Sequence, residues 1–168
     1  GHLRIEMRAL PAGPSPCDMM ANAAFLVGLA EGMSQDMEAR IPTMPFLAVE
    51  HNFYRAAEKG LMARLLWPDP EGHKPLVTLP ACELAMSLLP LAEEGLRKMG
   101  VDESEITQYL GVIRQRIQNR MTGACWQLKT FKRLLNTEVR HRALTLMVKR
   151  YIEHVRNNQP VSSWMESR

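Results

Sequence analysis

Residues 4–10, RIEMRAL, alternate charged and apolar side chains, and this alternation predicts a β-strand. Arg4, Glu6 and Arg8 then share one face of the strand. The patterns that follow are mostly helical, so no neighbouring strand is at hand for the backbone donors and acceptors of this one. A partner strand must therefore come from upstream in a longer chain, from the short hairpin described below, or from a second copy of the chain.

The first two helices are delimited by capping signals. Ser15 is predicted to cap a helix that starts at Pro16 and continues to about Gly32, since serine accepts from free helix N–H groups and proline suits the first helical position. A second helix is predicted over residues 46–59, with Gly60 as its terminating glycine.

A hairpin and a third helix come next. The apolar runs LMARLLW (61–67) and KPLVTL (74–79) flank the turn PDPEGH, which indicates two antiparallel strands. The helix that follows is predicted to span roughly residues 82–99, with Pro90 kinking it.

Three further helices are predicted after residue 101, and two of them carry apolar stripes. Asp102 and Glu105 have the spacing of a capping box, and Thr122 can cap the following helix. The last helix is predicted from near Thr137 to about Asn157. Apolar stripes mark the helix after Asp102 (Ile106, Leu110, Ile113, Ile117, Met121) and the last helix (Leu144, Met147, Val148, Tyr151, Ile152, Val155).

These patterns predict one domain over residues 1–168. Its class is mainly α (α+β): a helical bundle with an N-terminal strand and a short β-hairpin. No apolar run is long enough to span a bilayer, and no signal-peptide pattern opens the sequence. Three widely spaced cysteines, Cys17, Cys82 and Cys125, indicate buried thiols in a reducing cytoplasm rather than disulfides or a zinc site.

Charge is distributed unevenly along the chain. Residues 1–113 hold 9 Lys/Arg and 15 Asp/Glu, a net charge of −6, whereas residues 114–168 hold 12 and 3, a net charge of +9. A basic half can hold a phosphate-bearing ligand or dock on an acidic neighbour. It lacks a helix-turn-helix or RNA-binding signature and has few aromatic residues, which argues against a nucleic-acid partner.

Four segments in order carry a family resemblance. They are RIEMRALPAGPSPCDMMANAAFLVGLAEGM, HNFYRAAEKGLMARLLWP, LLPLAEEGLRKMGV and IQNRMTGACWQ. Together they resemble the glutamate–cysteine ligase family of carboxylate-amine ligases, which has the glutamine-synthetase-like fold. The resemblance extends to about Leu135 and is to the C-terminal portion of a longer ligase. The chain departs from many relatives at Ala9-Leu10-Pro11, where they carry an acidic residue, and this leaves the substrate undefined.

The resemblance implies an ATP-dependent ligase that phosphorylates a carboxylate and then lets an amine attack the acyl phosphate. It assigns Glu6 to a Mg²⁺ ion and Arg8 to a phosphoryl or substrate carboxylate oxygen, roles that suit a carboxylate and a bidentate guanidinium. Without the resemblance, the charged face of this strand reads as solvated surface. The remaining metal ligands are implied to lie upstream, so ATP and Mg²⁺ would bind only with that part present and the isolated chain would be inactive.

Three further side chains are candidates for binding nucleotide or substrate. Asn52 and Arg55 lie three residues apart on one predicted helix face, which is either a ligand-facing surface or an ordinary exposed one. Arg120 lies one predicted turn after Arg116, ahead of Gly123, where a helix N-terminus suits a phosphate. The alternative there is a packed helix corner plugged by Trp126.

Two functional alternatives to a ligase fragment stay open. The chain could be a helical module whose basic half binds an anionic partner, or a regulatory domain that kept the fold and lost catalysis. The exposed N-terminal strand also predicts a homodimer formed along its edge.

Overall fold

The computed structural model describes residues 13–35 and 37–164. The predicted strand at residues 4–10, with Glu6 and Arg8, lies outside the described residues. Within them the chain is mainly helical with one two-stranded antiparallel hairpin, as predicted. The helices are α1 (Pro16–Ser34), α2 (Met37–Arg40), α3 (Phe46–Lys59), α4 (Ala81–Lys98), α5 (Glu103–Gln118), α6 (Gly123–Leu134) and α7 (Arg140–Arg156), and the strands are β1 (Arg64–Pro68) and β2 (Leu76–Pro80).

Side-chain caps begin two of the described helices, and a third predicted cap is absent. Ser15 and Thr122 accept from the backbone N–H groups of Asp18 and Cys125, as predicted. The predicted capping box at Asp102 is wrong, because its side chain makes no capping hydrogen bond. In the first turn of this helix the Glu103 carboxylate pairs with Arg97, and hydrogen bonding between them lowers the pKa of Glu103 and raises that of Arg97.

The main core lies between α1, α4 and α5. Leu89, Leu96, Ile106, Leu110 and Ile113 are among its buried members, so the predicted stripe of α5 does face inward. Helices α1 and α4 approach closely at glycines: a Cβ on Gly95 would overlap the carbonyl oxygen of Gly28. Only small residues permit this backbone contact.

A second, smaller core lies around Trp126. Its indole packs edge-on against Trp164, with ring centroids 5.0 Å apart, and against Tyr151 at 5.9 Å. His154 stacks on Trp164 at 4.6 Å. This core gathers α6, α7 and the segment after α7, so Trp126 is a packing residue at the helix corner, as the second interpretation of that region predicted.

Helix α7 begins later than predicted and buries only part of its stripe. Thr137 donates its hydroxyl to the Leu134 carbonyl rather than starting a helix, and α7 starts at Arg140 after an extended Val139. Met147, Tyr151 and Val155 pack on the Trp126 core. The rest of the predicted stripe, Leu144, Val148 and Ile152, is exposed.

No helix of the described chain is both long and apolar enough to cross a membrane. Cys17, Cys82 and Cys125 are free thiols, and each is half-buried rather than fully buried as predicted.

Candidate anion-binding groove

A groove of about 370 Å³ lies between α3, the turn that follows it and the hairpin. Four basic side chains contribute to its lining. The lining residues are His51, Arg55, Lys59, Met62, Arg64 and Thr78. We call this surface the basic groove.

Helix periodicity and strand pairing place these side chains together. His51, Arg55 and Lys59 follow one another at intervals of four residues, so they line one face of α3. Arg64 and Thr78 come from the two paired strands, and the Arg64 guanidinium donates to the Thr78 carbonyl oxygen at 3.2 Å. Three permanent cations therefore surround one groove.

A single carboxylate partly balances this charge. Glu58 accepts from Arg55 at 3.0 Å and pairs with Lys59 at 2.8 Å. Hydrogen bonds from Lys59 and Arg55 lower the pKa of Glu58, so this carboxyl group is ionised at neutral pH. Three cations against one anion leave the groove positive and suited to an anionic group.

Asn52 lies on the same helix, but its side-chain amide is already hydrogen-bonded to β1 and is not free to bind a ligand in the groove. Its Nδ2 donates to the Leu66 carbonyl oxygen and its Oδ1 accepts from the Leu66 N–H, both at 2.7 Å. These two bonds fill the outward backbone positions of β1 and fix α3 against the hairpin. Asn52 is thereby a positioning residue for Arg55, which follows three residues later.

The other arginine candidate lies apart from the basic groove in sequence. Helix α5 ends at Gln118, and Arg120 follows it with a left-handed φ of 48°. Arg120 therefore does not lie one helical turn after Arg116 as predicted, because the helix ends before it. Gly123 faces Pro14, whose Cγ would lie 2.8 Å from an added Cβ, so the close approach there is to protein.

Sequence reasoning missed a buried charge cluster that joins the two ends of the fold. Asp18 is 0% exposed, and its carboxylate accepts from the Ser15 hydroxyl at 2.8 Å and the Val161 N–H at 2.9 Å. Arg116 donates to it at 2.7 Å and also bonds Asn22. Every Asp18 oxygen has a protein partner, which marks a structural ion pair rather than a ligand site.

The described residues contain no group of three or more His, Cys, Asp or Glu side chains placed to hold a metal ion. Glu6, the metal ligand that the resemblance implies, lies outside them. A larger cavity of about 680 Å³, on the other side of α3, is lined mostly by apolar side chains that include Met33, Ile41 and Trp67.

No family model matches this sequence, and no curated protein or solved structure matches it at a significant level.

Proposed function

We propose that the chain is part of an ATP-dependent carboxylate-amine ligase resembling glutamate–cysteine ligase, and that the basic groove holds an anionic group of a substrate. The observation that supports this most is the position of Arg55. The sequence made Arg55 a candidate for binding nucleotide or substrate, and its guanidinium lies in a groove with two further permanent cations. Phosphoryl transfer relies on such cations to position and stabilise negatively charged oxygens.

The proposed reaction has two steps. A substrate carboxylate oxygen attacks the terminal phosphorus of ATP, which releases ADP and leaves an acyl phosphate. An amine then attacks the acyl carbon, loses a proton and expels phosphate, which forms the amide. Mg²⁺, when bound by Glu6 and ligands upstream, neutralises phosphate charge.

In this scheme the side chains of the chain bind and orient the anionic groups of the substrates. Arg55 donates one N–H to Glu58, so its planar fork keeps further donors for an anion. Lys59, paired with Glu58, adds a second cation, and Asn52 holds the helix in place. Arg8 grips a phosphoryl or carboxylate oxygen, and Arg120 contributes a cation from the α5–α6 corner.

An anion titration of the 168-residue chain tests the basic groove. We expect pyrophosphate to shift the NMR signals of Arg55 and Arg64 with a dissociation constant of roughly millimolar, weakened by salt. Arg55→Gln should abolish these shifts. Arg142→Gln is the matched control, because Arg142 is an exposed arginine that also pairs with a glutamate on its own helix. Equal binding by both variants contradicts the role of the groove.

Turnover tests the ligase proposal itself. Glu6→Gln in the complete enzyme should lower ATP turnover by orders of magnitude without changing its fold, because a neutral amide is a poor Mg²⁺ ligand. The isolated chain should bind Mg-ATP no tighter than roughly millimolar. Near wild-type turnover of Glu6→Gln, or micromolar ATP binding by the chain alone, rejects the assignment.

A ligase of this kind would act in the cytoplasm on small-molecule substrates.

The second candidate function is a helical interaction domain with an anionic partner. One observation favours it: the exposed side of α7 combines apolar and basic residues. That surface leads to a separate inference.

A further inference from the structure

Helix α3 contacts the rest of the chain through Ala48 and Asn52 and leaves its large apolar side chains exposed. Ala48 is buried and Asn52 bonds β1, and these two residues share one face of the helix. The aromatic residues lie on the other side: Phe46, Phe53 and Tyr54 are 77%, 59% and 64% exposed, and Leu47 is 75% exposed. A surface helix normally buries its apolar face. The exposed apolar face of α3 is therefore a candidate docking surface.

Helix α7 carries a second exposed apolar stripe, flanked by basic residues. Leu144, Val148 and Ile152 recur every four residues and are 41%, 47% and 43% exposed. Lys149 and Arg156, together with one carboxylate, Glu153, line a shallow groove beside Ile152, so its border carries a net positive charge. This stripe belongs to the half of the chain with a net charge of +9.

We propose that the occupant is a second copy of the chain, with α3 of each copy lying against α7 of the other in a two-fold dimer. The charges are complementary. Glu50 lies on the exposed side of α3, between Phe46 and Phe53, and would meet the cationic border of α7. Pairing α3 with its own copy would instead bring two Glu50 carboxylates together in an apolar seam, which is unfavourable.

The exposed area is sufficient for a stable dimer. Aromatic side chains contribute roughly 150–250 Å² each when fully buried. At the observed exposures, the three aromatic residues of α3 offer roughly 400 Å² per copy. The aliphatic residues of α3 and α7 add to this on both copies, which brings the total into the range of about 1,200–2,000 Å² that specific interfaces bury. In a two-fold dimer, α3 of each copy contacts α7 of the other, so both contacts form together and the assembly is closed.

Sedimentation velocity of the 168-residue chain tests this inference. We expect a dimer at about 200 µM protein in low salt, with a dissociation constant that rises several-fold in high salt because the charge contribution is screened. Phe53→Glu and Val148→Glu should each yield a monomer. Met99→Glu, an exposed apolar residue at the end of α4, is the control and should leave the dimer intact. Circular dichroism and thermal unfolding verify that each variant keeps its fold.

A charge exchange identifies which helices meet. Glu50→Lys and Lys149→Glu should each weaken the dimer by about fivefold, and the double variant should restore it because both contacts regain opposite charges. The inference is overturned if the wild type is a monomer or if the dimer is unaffected by Phe53→Glu. It is also overturned if Phe53→Glu dissociates the dimer and Val148→Glu does not, or if the double variant shows no recovery.

Discussion

Replacing Asp18 with alanine tests the buried charge cluster most directly. The substitution removes the acceptor of three side-chain or backbone donors and leaves the Arg116 guanidinium, only 14% exposed, without its carboxylate. Removing one partner of a buried pair costs about 3–5 kcal/mol, because an uncompensated charge stays behind. That is a large part of a typical total stability of about 5–15 kcal/mol.

Urea denaturation followed by circular dichroism measures this loss, and a thermal scan should show a decrease in Tm of roughly 6–20 °C. The control is Arg142→Ala. Its ion pair with Glu138 lies on the surface of α7, where such a pair contributes about 0.5 kcal/mol or less.

A double variant separates the charge effect from the lost hydrogen bonds. Asp18→Leu combined with Arg116→Met removes both charges and should recover at least half of the loss, although the Val161 N–H still lacks its acceptor. A loss below about 1 kcal/mol for Asp18→Ala, or no recovery in the double variant, would refute the reasoning from a desolvated charge.

Three further predictions concern packing, thiol chemistry and association. Gly95→Ala should cost about 1–3 kcal/mol in urea denaturation, because its Cβ overlaps the Gly28 carbonyl, whereas Gly111→Ala, with open space at its Cβ, should gain about 0.5–1 kcal/mol. Burial, and then the Asp18 carboxylate, raise the pKa of the Cys17 thiol, so its alkylation midpoint in the folded chain should lie at a higher pH than in the urea-unfolded chain; an equal or lower midpoint contradicts this. If the strand at residues 4–10 also pairs between chains, Ile5→Pro should weaken a dimer component that salt leaves unchanged in light scattering.

Local signals in the sequence predicted the elements well. The bounds of α3 follow from its apolar start after a proline and from Gly60 at its end, and the hairpin follows from two β-rich runs around a turn. Such features depend on residues close in sequence. The predicted capping box at Asp102 failed, because the Asp102 side chain makes no capping hydrogen bond at the start of α5.

Long-range geometry could not be predicted in the same way. Asp18 and Arg116 are 98 residues apart, and nothing local indicates that they meet. Asn52 and Arg55 were predicted to share a helix face, but the sequence does not reveal that Asn52 bonds β1 while Arg55 enters a groove with Arg64. For the same reason the sequence made no prediction of which face of α3 meets the rest of the chain, because periodicity identifies an apolar face without saying which side of a helix is buried.

The bond between Asp18 and the Val161 N–H has a consequence for biosynthesis. It joins residues 143 positions apart, so the start of α1 is among the first described parts to be translated and waits for a partner that is among the last. At about 5–20 residues per second, this interval lasts roughly 7–30 s. During that time the carboxylate at the start of α1 lacks its Val161 donor, and this contact can form only after Val161 has been translated.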